Sequence, residues 1–188
     1  MKRKKILEAA AIIFSEKGYH QARMDEIAFL AKVAKGTLYY NFSSKSMLFS
    51  ATVTEGLESI ISEITGNLDS DRPFKEHFRT LIENMIGLYL KNNKLAKILL
   101  NELSSGIDSK VLEEIEAIQN RFIDFIADLL DRGQKGGLLK PMNIQAASIA
   151  VVGQMDSLCK YHLRNPGKIS KDQIVETLYN ILSTGLLK

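Results

Sequence analysis

Apolar residues recur three and four positions apart from one end of this chain to the other, and no stretch alternates apolar with polar at a period of two. That is the spacing of helices which each bury one face, and it leaves no room for a sheet-based core. Turn residues then divide the chain. Ile6, Leu7, Ala10, Ile13 and Phe14 mark a first helix over about 3–17, which Gly18 stops. Ile27, Leu30 and Ala31 mark a short second helix at about 24–31, with Asp25 and Glu26 in the first turn, where carboxylates suit the helix dipole. A third begins near Lys35. From Ser44 the spacing resumes at Met47, Leu48, Ala51, Leu57, Ile60, Ile61, Ile64 and Leu68, predicting a long helix up to an Asp69–Pro73 turn.

Phe74, Phe78, Leu81, Ile82, Met85 and Tyr89 predict a further helix, Leu95 to Leu103 a short one, and Val111 to Leu130 a long one closed by Gly133 to Gly137. A segment rich in small residues (Ala146, Ala147, Ser148, Ala150, Gly153) follows Pro141 and Asn143 and runs to about Leu163. The last helix has the best-marked start. Ser170 with Gln173 three residues on makes a capping box, and Ile169 with Ile174 closes a hydrophobic staple across it. The expectation is an all-α fold of about nine helices, with a small N-terminal domain over 1–47 and a larger helical domain over 48–188.

Charge is unevenly spread. Residues 1–49 hold nine Lys/Arg against four Asp/Glu, net +5, while residues 50–188 hold 16 against 18, net −2. A basic end suits a polyanion, although a solvated Lys-rich terminus would look the same. The lone Cys159 forms no intrachain disulfide, and it reads as a small buried hydrophobe rather than a redox sensor. The Lys-Arg-Lys-Lys start leads into an amphipathic segment, not a secretory signal, and no apolar run approaches the roughly 20 residues of a membrane span, so a cytoplasmic location is expected. His20, His77 and His162 lack the short spacings of metal ligands. There is no Gly-rich phosphate loop and no Ser/His/Asp or Cys/His set that periodicity would gather, so neither an enzyme nor a metal or other cofactor is expected.

Two short helices joined by a tight turn, the second starting Lys35-Gly36-Thr37-Leu38-Tyr39-Tyr40-Asn41-Phe42, read as a helix-turn-helix. Leu38 and Phe42, four apart, face inward, leaving Lys35, Gly36, Thr37, Tyr39, Tyr40 and Asn41 to project. Gly36 permits close approach to a phosphate, and Thr37 and the tyrosine hydroxyls can bond phosphate oxygens. Asn41 suits an adenine edge, and Lys45 suits a neighbouring phosphate as a point charge. Tyr39 has an alternative, bracing the helix that carries Lys45. The Lys2–Lys5 cluster is expected to add a flexible second contact.

With Gly18-Tyr19, Ile27-Ala28, Lys35 to Phe42 and Ser44-Lys45 in this order and spacing, the segment from Ile6 to about Val53 resembles the N-terminal domain of the tetracycline-repressor (TetR) family. The resemblance implies a repressor that binds double-stranded operator DNA, with contacts at Arg23 and Met24 as well as the set above. The chain departs from the family pattern at several positions. Arg23-Met24 stands in place of a threonine pair, and Lys32 in place of a turn glycine, which calls for a less comfortable positive-φ residue. Ala34 stands in place of a serine N-cap worth about 1 kcal/mol, and Asn41 where histidine is common.

Further along, Phe78, Met85, Tyr89, Phe122, Phe125 and Met155, with the isolated polar groups Asn84, Gln119 and Gln154, could form either plain core or the lining of a cavity for a small apolar effector. The helices at about 144–163 and 170–186 carry apolar faces too large for a monomer. Paired with a second copy they would make an isologous four-helix interface, as the family resemblance also implies. Such a homodimer would set its recognition helices about 34–36 Å apart on a pseudo-palindrome.

Overall fold

The computed structural model describes residues 2–66, 74–102 and 108–187, with the side chains of 65, 74–77 and 100–102 left aside. Among the described residues there are nine helices and no strand: α1 (Lys2–Gln21), α2 (Met24–Leu30), α3 (Lys35–Asn41), α4 (Lys45–Gly66), α5 (Phe74–Lys91), α6 (Asn93–Glu102), α7 (Ser109–Lys135), α8 (Ile144–Arg164) and α9 (Lys171–Leu186). An isolated antiparallel bridge joins Leu139 to Leu187. The expected Asp69–Pro73 turn, with Leu68 and Leu103, lies outside the described residues, as does the side chain of His77.

The chain forms two compact units. The first holds residues up to Ser59 together with 92–118, that is α1 to α3, most of α4, α6 and the start of α7. Its core is built on Ile6, Ala10, Phe14, Ile27, Leu38, Leu48, Phe49 and Val53, all essentially inaccessible. Phe14 meets Phe49 edge-on at 5.0 Å between centroids, and Tyr19 meets the same ring at 5.1 Å. Such aromatic pairs add about 0.5–1.5 kcal/mol beyond the area they bury. α1 breaks at Gly18, whose φ of 75° no residue with a Cβ adopts readily, and one more turn carries the chain to Gln21. Gly56 has another role, since a Cβ there would stand 2.5 Å from Leu95 Cδ1, so its absence lets α4 and α6 approach.

The second unit holds 60–91 and 119 onward: the end of α4, α5, the rest of α7, α8 and α9. Ile86, Leu139, Cys159, Ile174 and Leu178 lie at its centre. Both late helices start on side-chain caps. Asn143 accepts from Ala146 N at 2.9 Å, and Ser170 and Gln173 form the reciprocal box that their spacing predicts. Cys159 is fully buried, and burial followed by the nearby Asp156 carboxylate pushes its thiol up to about 12, so it stays protonated and unreactive. No helix among the described residues is long and apolar enough to cross a membrane.

Candidate functional site

α3 has little to hold it by itself. Seven residues are too few to be helical alone, Ala34 at the N-cap position offers no side-chain cap, and Arg23 offers none to α2. The turn between them passes through Lys32 at φ 54°, the one positive-φ residue other than glycine among the described residues. Both departures read from the sequence therefore have a structural cost. Lys32→Gly is expected to raise stability by about 0.5–1 kcal/mol, the left-handed penalty less the added freedom of an unfolded glycine, seen as a higher thermal midpoint with DNA affinity unchanged.

What fixes α3 is its inner face: Leu38 is 0% exposed and Phe42 is buried beside it. That leaves Tyr40 91% exposed, with Tyr39, Lys35 and Gly36 also exposed and Thr37 and Asn41 half-buried. Gly36, Thr37, Tyr40 and Asn41 line one open concave surface, and Lys2 and Arg3 of α1 complete it. The basic N-terminus is thus helical here rather than a loose arm. Arg3 is fixed by Glu55 at 2.6 Å and lies 4.7 Å over the Phe42 ring, which also braces the end of α3. Sequence reading placed Lys2 and Arg3 only as part of a charged cluster; their helical register was the signal that would have set them beside α3.

Several residues sit otherwise than sequence reading expects. Met24 points into the core, its side chain 9% exposed, so of the pair only Arg23 is exposed. Asn41 Nδ2 donates to Thr37 O at 2.8 Å, a bond within its own helix that it must exchange to read a base. Lys45 Nζ donates to His20 O at 3.1 Å and Ala22 O at 3.3 Å and lies 4.7 Å over the Tyr19 ring. Its charge satisfies carbonyls at the end of α1 and ties the start of α4 to them. Lys35 pairs with Asp25 at 2.9 Å, both exposed, and that hydrogen bond and charge raise its pKa. An exposed pair of this kind holds only weakly and yields to a phosphate.

The second unit encloses a cavity of about 50 Å³ with a wholly apolar lining drawn from α5, α7, α8 and α9. Phe78, Met85 and Met155 line it, together with Ile82, Leu130 and Leu178 among others. Tyr89, Phe122 and Phe125 do not: the two phenylalanines stack on each other at 6.3 Å, and Tyr89 donates to Asp156 Oδ1 at 2.9 Å. Asn84 and Gln119 face solvent, and Gln154, whose Oε1 is buried without a hydrogen-bond partner, is not in the lining. His162 Nδ1 meets Ile169 O at 2.7 Å in the loop before α9, and no three potential metal ligands cluster among the described residues.

Residues 6–52 match the family described as bacterial regulatory proteins, tetR family, and residues 71–186 match the tetracyclin repressor-like C-terminal domain. The HTH-type transcriptional activator FasR of Mycolicibacterium smegmatis is 26% identical over 93% of this chain and 78% of its own length. The fatty acid metabolism regulator protein of Bacillus subtilis is 23% identical over 96% of this chain and 93% of its own. The fold is shared with the transcriptional regulator FadR from Bacillus subtilis, solved in complex with stearoyl-CoA. The TM-score is 0.83 at 22% identity, covering 97% of this chain and 98% of that one. The two matches together take in the helix-turn-helix and nearly all of the chain from α5 onward, so the chain belongs to the tetR family of bacterial regulatory proteins and is a DNA-binding transcriptional regulator rather than an enzyme.

Proposed function

We propose that this regulator is a cytoplasmic repressor whose homodimer grips a pseudo-palindromic operator and lets go when an acyl chain enters the apolar cavity. Residues 1–47 form the DNA-binding part and residues 48–188 the effector-binding and dimerisation part. The observation that carries the first half is the exposed face of α3, where Tyr40 stands almost wholly in solvent between a glycine and two half-buried polar residues, with Lys2 and Arg3 alongside. A tyrosine hydroxyl held out beside basic groups is suited to a phosphate. Arg23, Lys35, Gly36, Thr37, Tyr39, Tyr40 and Asn41 make the contacts. Lys45 contributes through the position it gives α4, and Met24 through packing.

The second half rests on the cavity. About 50 Å³ admits only a few carbon atoms, on the scale where about 10–15 Å³ admits one water. A longer chain therefore has to displace the helices that line it, which links occupancy to shape. The flexible Met85 and Met155 side chains make such repacking easy. The acyl assignment is supported by the lining, which offers no polar group, and by relatives named for fatty acid metabolism or solved with stearoyl-CoA.

Fluorescence anisotropy with DNA flanking the gene tests both halves. Wild type is expected to bind with a log–log salt slope of about −0.9 per phosphate contacted, and palmitoyl-CoA is expected to release it. Tyr40→Ala should weaken binding about tenfold, in the range of about 1–3 kcal/mol for a lost specific contact. Affinity unchanged by Tyr40→Ala, or no release by any acyl chain between six and eighteen carbons, would overturn the corresponding half.

A further inference from the structure

Along α5 the cavity lining runs Phe78, Leu81, Ile82, Met85 and then stops. Tyr89, one helical turn further on, takes the next place against the same core, and it is a polar one. Its hydroxyl donates to Asp156 on α8 at 2.9 Å, and Asp156 directly follows Met155, which with Val151 lines the cavity from that helix. Asp156 also pairs with Lys160 at 2.6 Å. A wholly apolar cavity is therefore followed, on two of its helices at once, by a hydroxyl and a carboxylate bonded to each other.

We propose that Tyr89 anchors the polar end of the effector and that Asp156 beside it makes this end selective for a neutral acyl carbonyl, as in a thioester or ester, over a free carboxylate. This rests on the reading that the cavity takes an acyl chain. Tyr89 has one proton to donate, and a carbonyl oxygen arriving at the end of the chain can accept it in place of Asp156. Asp156 loses little by the exchange, because Lys160 remains paired with it. A carboxylate in the same place would add a second negative charge beside Asp156 in a partly desolvated setting.

The local field agrees with that sign. Burial and then Asp156 drive the ionisation of Tyr89 far above the usual phenol range, and Arg164 opposes this only weakly. The same two causes raise Cys159, on the same turn of α8. Both groups resist acquiring negative charge, and an incoming carboxylate would meet the same resistance.

Matched six-carbon probes read the proposal on the full-length protein: methyl hexanoate, hexanoate, and hexane as a chain without a carbonyl. Wild type is expected to bind the ester about tenfold more tightly than the acid. Tyr89→Phe should lose about five- to tenfold for the ester while hexane is unaffected, and Asp156→Asn should narrow the gap between ester and acid. A purely structural tie between α5 and α8 would instead weaken ester and hexane alike, which overturns the anchor. So would equal binding of ester and acid by wild type. If hexane and ester both fail to bind wild type, or bind Met155→Trp as well as wild type with thermal unfolding unchanged, the cavity reading falls and the anchor with it.

Discussion

Leu38→Ala is expected to cost about 2–5 kcal/mol of stability and to abolish operator binding at concentrations where wild type saturates. The range is that of buried leucine truncations, and the upper part of it applies because α3 has almost nothing else. The helix is seven residues long, its N-cap is an alanine, and the turn leading into it holds a lysine at positive φ. Leu38, 0% exposed, is its main attachment to the core, with Phe42 as the second. Since domains of ordinary stability have about 5–15 kcal/mol in hand, the molecule should remain folded at 20 °C while α3 loses its fixed position. Urea unfolding followed by circular dichroism measures the first effect and anisotropy with the operator the second. Binding retained within threefold of wild type would mean that α3 is held by something other than its inner face.

The helix-turn-helix was legible in the sequence because its constraints are local. A positive-φ position, a missing cap and two apolar residues four apart are each decided within a few residues: Leu38 and Phe42 stand as their spacing implies, and Lys32 and Ala34 as the family resemblance implies. The capping box at Ser170 is of the same kind. Side chains whose place depends on a distant partner were not legible. Lys45 looked free for a phosphate, but its ammonium meets two carbonyls some 25 residues earlier in the chain, a meeting that only the crossing of α1 and α4 creates. Met24 occupies a position where the family pattern suggests a contact, yet its apolar side chain is satisfied by turning inward.

The cavity was legible as a composition and not as a list. Periodicity assigns Phe122 and Phe125 to the inner side of α7, but two phenylalanines three apart stack on each other, and only Ile126, Leu129 and Leu130 reach the void. The grouping of α6 and the start of α7 with residues up to Ser59 had no sequence signal at all, because it depends on close approaches such as that of Leu95 to Gly56.

The double change Ile149→Asp with Ile181→Asp is expected to turn the dimer into a monomer and to weaken operator binding by a hundredfold or more. α8 leaves Ile149 51% exposed on a face with Ala146, Ala150 and Gly153, and α9 leaves Ile181 52% exposed, in helices whose opposite sides fill the core. Small residues around a branched aliphatic permit close helix approach, and in a two-fold interface each isoleucine is counted twice. Burying a whole isoleucine side chain contributes about 1.5–3 kcal/mol, so four half-exposed ones supply several kcal/mol, and four carboxylates facing one another would reverse the sign. DNA binding follows because the second recognition helix of a dimer binds at an effective concentration set by the first, which commonly multiplies affinity by about 10²–10⁴. Neither side chain belongs to the core of its own chain, so the thermal midpoint of the dilute protein should fall only by the amount dimerisation contributes. Sedimentation velocity at micromolar concentration separates the outcomes. A variant that still sediments as a dimer would place the interface elsewhere than on α8 and α9, and a monomer that binds operator as tightly as wild type would mean that one helix-turn-helix suffices.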